Sequence, residues 1–489
     1  MVLSKPQQPP MPESTAPIQP DELDGLFARF AALGPCALAV SGGSDSTALM
    51  VLYADWLRRR REQPRRCTVL TVDHGLRPSS ADEARAVAAT AVEIGFRHAT
   101  LPWEGLKPRA GIQAAARAAR YRLMGDYMHA NGIALLLTAH TRDDQAETLL
   151  MRLARGSGLD GLAAMAPLTP LGGHGGDAEE GGLWIGRPFL DVPKACLRAT
   201  LEVRKMRWME DPSNIAPEFE RARLRAARAD LDALGLTPDM LALSAARLTR
   251  ARRAVEAMVD EVCDPEAGIV SIDADCGAVL LDRKVLREMA EEVALRLLER
   301  AILAAGGGER PALGKLEAVG RSLLESRGGG HGSAASGQGR WTGRWTLARA
   351  LISAEPGVVR VERELGREPL PEVTLAPGGA VLWDGRFWVS VAKAYAGGPL
   401  KVRALGEVAL RDLRRRRLLA EGTSHGAATV PALWRGDEIV AVPSLGFWLS
   451  AHTRDQLDAI FLGLGQAPNA AGSGGSKLGK SSLRTRNLS

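Results

Sequence analysis

Cysteine is scarce in this sequence: five residues in 489, Cys36, Cys67, Cys196, Cys263 and Cys276. No two of them form a CxxC pair, which argues against a zinc ribbon, a thioredoxin-type redox motif or an Fe–S ligand set. They are expected to be buried or half-buried free thiols of a reducing cytosol, so a cytoplasmic location is expected. No apolar run reaches the roughly 18 residues of a membrane span, so no membrane partner is expected. The opening MVLSKPQQPPMPESTAPIQP lacks the apolar core of a secretory signal and reads as a flexible tail. There is no solenoid repeat. The Walker pattern GxxxxGK[ST] is absent as well.

What is present is ordinary for a globular chain: 45% hydrophobic and 25% charged residues. The length suits two or three domains, because single cores rarely grow beyond roughly 250–300 residues. A formal net charge of +6 is compatible with a polyanionic partner such as RNA without requiring one.

Short apolar runs alternate with helical patterns up to about residue 155. Strands are expected at Ala37–Val40, Thr68–Val72, Arg97–Leu101 and Ile133–Thr138. Helices are expected at Asp45–Leu57, Ser80–Gly95, Gly111–Ala130 and Asp143–Arg155. This alternation predicts βαβ units and a Rossmann-like parallel sheet, an α/β fold. Residues 171–182 read as a loop. The segment from Thr237 to about Ala305 reads as largely helical, and ESRGGGHGSAASGQGR as a linker. β-like runs follow Trp341, and a Gly/Ser/Lys/Arg-rich tail closes the chain.

The candidate chemistry falls just after strands, where open α/β sheets bind ligands. Ser41-Gly42-Gly43-Ser44-Asp45-Ser46 joins a strand to a helix. Its glycines let backbone N–H groups approach an anion, the helix start adds its dipole, and Ser41 and Ser46 add hydroxyls. Asp45 beside phosphates implies a bridging Mg²⁺. No lysine lies in this loop. Asp73 and His74 end the second strand. His140 ends the fourth, followed by Asp143, Asp144 and Glu147. Asp144 and Glu147 share a helix face and suit an ammonium group. Arg117 and Arg120 share another face and suit phosphates or a carboxylate.

With its strand and helix, the loop resembles the PP-loop of the ATP pyrophosphatase superfamily, pattern SGGxDS. VDHGLR (72–77), RAARY (117–121), HTRDDQAET (140–148), EDPSN (210–214) and RARLR (221–225), in that order, resemble the tRNA(Ile)-lysidine synthetase family over about residues 30–230. The resemblance implies ATP as substrate, held by Ser41 to Ser46 with Asp73 and His74, and Mg²⁺ on Asp45. It implies catalytic roles for Asp45, Arg117 and His140. Asp144 and Glu147 would bind L-lysine, and Arg221, Arg223 and Arg225 would meet the tRNA. One departure stands out: Ala222 occupies the middle of the family's RNR triplet.

The implied reaction adenylates the C2 oxygen of the wobble cytidine in a CAU-anticodon tRNA(Ile), releasing pyrophosphate. The lysine ε-amine then displaces AMP. The expected division is a tail (1–20), a PP-loop catalytic domain (21–235), a helical tRNA-binding domain (236–325), a linker (326–340), a β-rich domain (341–465) and a second tail (466–489). The clusters RDLRRRRLL and RLTRARRA would contact phosphates. Trp383, Trp388, Trp434 and Trp448 are expected in cores. Two alternatives are a cytidine thiolase, which calls for the missing cysteine pairs, and a non-catalytic nucleotide-binding module, which needs no acidic block.

Overall fold

A computed structural model describes residues 15–77, 79–108, 110–171, 182–210, 220–324, 343–355, 357–366, 369–420 and 423–464. The expected tails, the 171–182 loop, the 326–340 linker and most of EDPSN lie wholly or largely outside the described residues.

The first unit opens with α1 (Leu23–Phe27) and continues β1 (Cys36–Ala39), α2 (Ser44–Arg59), β2 (Thr68–Asp73), α3 (Ser80–Ile94), β3 (Arg97–Pro102), α4 (Ile112–Ala130), β4 (Leu135–Leu137), α5 (Arg142–Ala154), α6 (Leu159–Leu162), β5 (Leu168–Pro170), β6 (Trp184–Gly186) and α7 (Lys194–Val203). The sheet order is β3-β2-β1-β4-β6-β5, parallel except for the β5 edge. Because both faces are covered, the central strands β1 and β4 are apolar throughout, whereas the edge strand β3 carries polar residues. Leu38 and Val40 pack with Phe27, Leu49 and Leu52 on one face. Ala37, Leu70 and Leu136 pack with Met124 and Met128 of α4 on the other. The strand order turns back between β1 and β4, so a crevice opens at the carboxyl ends of these two strands. The SGGSDS loop follows β1, and His140 follows β4.

Next come α8 (Glu220–Ala226), α9 (Arg228–Ala233) and α10 (Pro238–Cys263). α10 buries Leu241 and Ala245 against Ala146 and Leu149 of α5. The stretch from Thr237 to about Ala305, expected to be largely helical, is interrupted by a hairpin, β7 (Val270–Asp273) and β8 (Ala278–Asp282), turned at Gly277 with φ +68°. α11 (Arg283–Glu288), α12 (Glu291–Gly306) and α13 (Leu313–Leu324) follow, then β9 (Gly343–Leu347), β10 (Ala350–Ala354) and β11 (Val358–Arg363). These strands form one antiparallel sheet, β7-β8-β11-β10-β9, under α12. Residues on both sides of the expected linker thus share a sheet and a core. The apolar alternation of VSID and AVLLD is too short to be separated from helical runs by pattern alone.

The last strands are β12 (Val373–Leu375), β13 (Ala380–Trp383), β14 (Phe387–Val391), β15 (Leu400–Ala404), β16 (Pro431–Arg435), β17 (Glu438–Val442), β18 (Phe447–Trp448) and β19 (Leu457–Phe461), with α14 (Gly406–Arg415) between β15 and β16. They make two sheets, β12-β15-β16-β17-β18 and β13-β14-β19, over a shared core. Asp384-Gly385, both at positive φ, turns the β13–β14 hairpin. Trp383 and Trp434 are buried there, while Trp388 and Trp448 are half-buried. Among the described residues no helix is long and apolar enough to cross a membrane. All five cysteines are free.

Candidate active site

The SGGSDS loop is shaped by contacts with its neighbours. Gly42 adopts φ +88°, and a Cβ there would collide with the methyl of Met209 and crowd Val87 Cγ2 at 3.1 Å. The left-handed φ favours glycine here, and any side chain would also have to push the Met209 methyl aside. The Met209 N–H donates to the Gly42 carbonyl at 2.9 Å, strapping residues 206–209 over the loop. The Ser41 N–H donates to Ser46 Oγ at 3.2 Å, and Ser46 Oγ donates to the Gly43 carbonyl at 3.1 Å. Gly43, extended at ψ 165°, caps α2, so the first N–H groups of that helix face the crevice.

Asp45, on the first turn of α2, is not alone. Its Oδ1 accepts from Ser44 Oγ at 3.0 Å, and its Oδ2 takes the Lys194 ammonium at 2.8 Å. Sequence reasoning missed Lys194. It lies 149 positions away, and its signal, a lysine after Pro193, is common at helix starts.

The β2 end contributes Asp73 and His74. The Asp73 carboxylate accepts from the Gly75 N–H at 2.9 Å, and the Ser80 hydroxyl is the main cause of its lowered pKa. Burial, helped by Arg120, pushes His74 down to about 4, so its imidazole is neutral near pH 7. Its Nε2 lies 3.3 Å from Arg120, its ring edge meets Trp103, and its Nδ1 is buried without a hydrogen-bond partner.

Across the crevice, Thr141 caps α5. The Asp144 carboxylate accepts from the Thr141 N–H at 2.8 Å and from its hydroxyl at 2.9 Å, a capping box that ties Asp144 into the fold. His140 sits on Thr138 Oγ1 at 3.0 Å through Nδ1. Burial drives it to about 4, with Arg187, Arg117 and Arg221 adding to the effect against the pull of Asp144. Burial would raise Asp144, but His140, the Thr141 N–H and Arg221 outweigh it and its pKa is lowered. Glu147 moves the other way, because burial raises it more than Arg225 lowers it.

The expected acids and the expected tRNA-facing arginines meet each other. Arg225 forks onto both Glu147 oxygens at 2.6 and 3.1 Å. Arg221 lies 3.7 Å from Asp144 and 3.8 Å from Glu147. Arg228 lies 3.7 Å from Asp143, whose other oxygen accepts from the Lys194 N–H at 2.8 Å. Ala222, the departure from RNR, is buried in α8, where a larger polar side chain would have to be accommodated. Arg223 lies on the same helix, α8. Arg117 is exposed on α4, stacked 5.1 Å over Tyr121, and close enough to His140 to depress its basicity.

Residues 21–229 match the PP-loop domain family. The tRNA(Ile)-lysidine synthase of Bradyrhizobium diazoefficiens is 45% identical over 71% of this chain and 95% of its own length. The chain belongs to the tRNA(Ile)-lysidine synthase family. The enzyme of that name from Ruegeria pomeroyi is 36% identical over 87% of this chain and 93% of its own length. The one from Rhodopseudomonas palustris is 44% identical over 62% and 83%. Membership makes the chain an ATP-using ligase of the PP-loop type. Among solved structures, the U34-tRNA thiolase NcsA of Methanococcus maripaludis aligns with a TM-score of 0.38 at 13% identity, over 47% of this chain and 77% of that one.

Proposed function

We propose that this chain ligates L-lysine to C2 of the wobble cytidine of a CAU-anticodon tRNA(Ile), in two steps at one crevice. The observation that carries the reading is the meeting of an anion-binding loop and an acidic block at the turn-back of the sheet. ATP phosphates fit the loop's N–H groups and the start of α2. The unpartnered Nδ1 of His74 offers a hydrogen bond to the nucleoside end.

Asp45 is a lone carboxylate: among the described residues no group of three or more metal-ligating side chains occurs. That donor set fits Mg²⁺ held by one carboxylate and substrate phosphates, and does not fit a closed protein cage. Such an ion would supply charge neutralisation to the triphosphate.

In the first step the cytidine C2 oxygen attacks the α-phosphorus and pyrophosphate departs. In the second the lysine amine attacks C2 and AMP departs. Asp144 and Glu147 hold the ammonium. Their arginine partners already balance their charge, so the acids become available as the anionic tRNA draws Arg221 and Arg225 away. A carboxylate raised by burial accepts a proton more readily than an ordinary one, which makes Glu147 the acceptor for the amine. His140, held near 4, is too weak a base for that task. Arg117 stands on the rim where nucleotide and cytidine meet.

Sulfur transfer is the weaker reading. The one close thiol pair, Cys36 and Cys67 at 3.3 Å, is buried at the amino end of β1 and β2, away from the loop. Incubation with ATP, labelled lysine and a panel of tRNAs tests the proposal. Label should enter the CAU-anticodon tRNA(Ile) alone, and label in no tRNA would refute the assignment.

A further inference from the structure

The SGGSDS loop lacks the lysine with which Walker-type loops grip phosphates. We propose that Lys194 supplies that cation from α7, binding the β- and γ-phosphates of ATP and stabilising the pyrophosphate as it leaves. This rests on the reading of the loop as the ATP site.

The placement of Lys194 is fixed by two helices in register. α7 packs along α2, and two ion pairs cross between them: Lys194 with Asp45, and Arg204 with Asp55. Each spans 149 positions. One offset at both ends means that the helices run parallel and start together at the crevice. The main chain is pinned as well: the Lys194 N–H donates to Asp143, and the Val192 carbonyl accepts from the Arg142 N–H at 3.0 Å. The ammonium is therefore delivered to the loop by the rigid frame of the sheet and both helices.

The pair is also only partly shielded, with side-chain exposures of 31% for Lys194 and 21% for Asp45. A lysine–carboxylate pair that water still reaches is weak. A triphosphate entering the loop presents several negative charges to the same ammonium and outcompetes one carboxylate. Lys194 then turns from Asp45 to the phosphates without leaving its helix, and Asp45 is released. In the bond exchange, the cytidine C2 oxygen joins the α-phosphorus while the bond from that phosphorus to the α–β bridging oxygen breaks. The electron pair leaves on pyrophosphate, and the ammonium, turned onto the phosphates, meets that growing charge. No proton need move.

The test measures binding of inorganic pyrophosphate, ATP and AMP to the full chain by calorimetry, for wild type, Lys194→Ala, Lys194→Arg and the double variant Asp45→Asn/Lys194→Ala. Loss of a charge-assisted contact predicts roughly 10- to 100-fold weaker pyrophosphate and ATP binding in Lys194→Ala. AMP binding should stay within about twofold, and Lys194→Arg should recover most of the loss. Removing Asp45's charge as well should not restore pyrophosphate binding, because the lysine does more than neutralise that carboxylate. Wild-type pyrophosphate affinity in Lys194→Ala overturns the proposal, as does a parallel loss of AMP or full rescue in the double variant. If wild type binds neither ATP nor pyrophosphate, the loop reading falls and the proposal with it.

Discussion

The two walls of the crevice handle charge differently. The β1 wall presents backbone: extended Gly43, positive-φ Gly42 and the opening N–H groups of α2, with Asp45 its one carboxylate, held by Lys194. The β4 wall presents side chains: Asp143, Asp144 and Glu147, each facing a guanidinium of α8 or α9. A backbone cradle is built once and suits any phosphate chain. A lattice of ion pairs can be opened by a competing polyanion. On the proposed reading, the first wall is a standing site for ATP, and the second becomes a lysine site when tRNA arrives.

Substitutions can separate the walls. The largest effect is expected for Asp45→Ala, which should lower tRNA-dependent AMP formation by about 10³-fold or more with an unchanged circular dichroism spectrum. Retained activity would remove Asp45 from the chemistry. Gly42→Ala should weaken ATP binding and destabilise the fold by roughly 1–3 kcal/mol, through the strained φ and the collision with Met209. Unaltered ATP binding and melting temperature would show that the loop can move aside. Glu147→Gln should raise the KM for lysine by roughly 10- to 100-fold while tRNA-dependent pyrophosphate release continues. A defect confined to pyrophosphate release would put Glu147 on the other wall. Thr141→Ala should cost about 1 kcal/mol in denaturant unfolding through the lost cap of α5. The smallest effect concerns pH. His140 is held at about 4, below its ordinary value of about 6.5. Its contribution to stability is thus complete above about pH 6.5 and is lost as pH falls through 4. His140→Gln should flatten the fall in melting temperature across that window, and an unchanged slope would contradict the burial argument.

The first wall was readable in the sequence because its geometry is local. Strand, SGGSDS and helix are contiguous, and glycine at 42 is required by a backbone angle. The β4 wall was half readable. His140, Asp144 and Glu147 stand within one short block, but the partners that define their charge state, Arg221 and Arg225, come from a helix some 75 residues on, and no local pattern announces the pairing. Asp144 also carries a capping role that the helix-face argument did not include. Lys194 was invisible for the same reason at twice the distance. In the C-terminal half, the β-like runs after Trp341 are indeed strands, whereas β7 and β8 did not separate from the surrounding helices, because four- and five-residue apolar runs have too few periods to reveal strand or helix.

The central claim, that one crevice activates an oxygen and then admits an amine, is tested most directly by a pulse–chase on the full-length protein. With ATP and CAU-anticodon tRNA(Ile) but no lysine, pyrophosphate should be released while AMP stays on the tRNA. Adding lysine should then release AMP in step with lysine incorporation at the wobble position. Free AMP formed without lysine, or pyrophosphate release that requires lysine, would contradict the account.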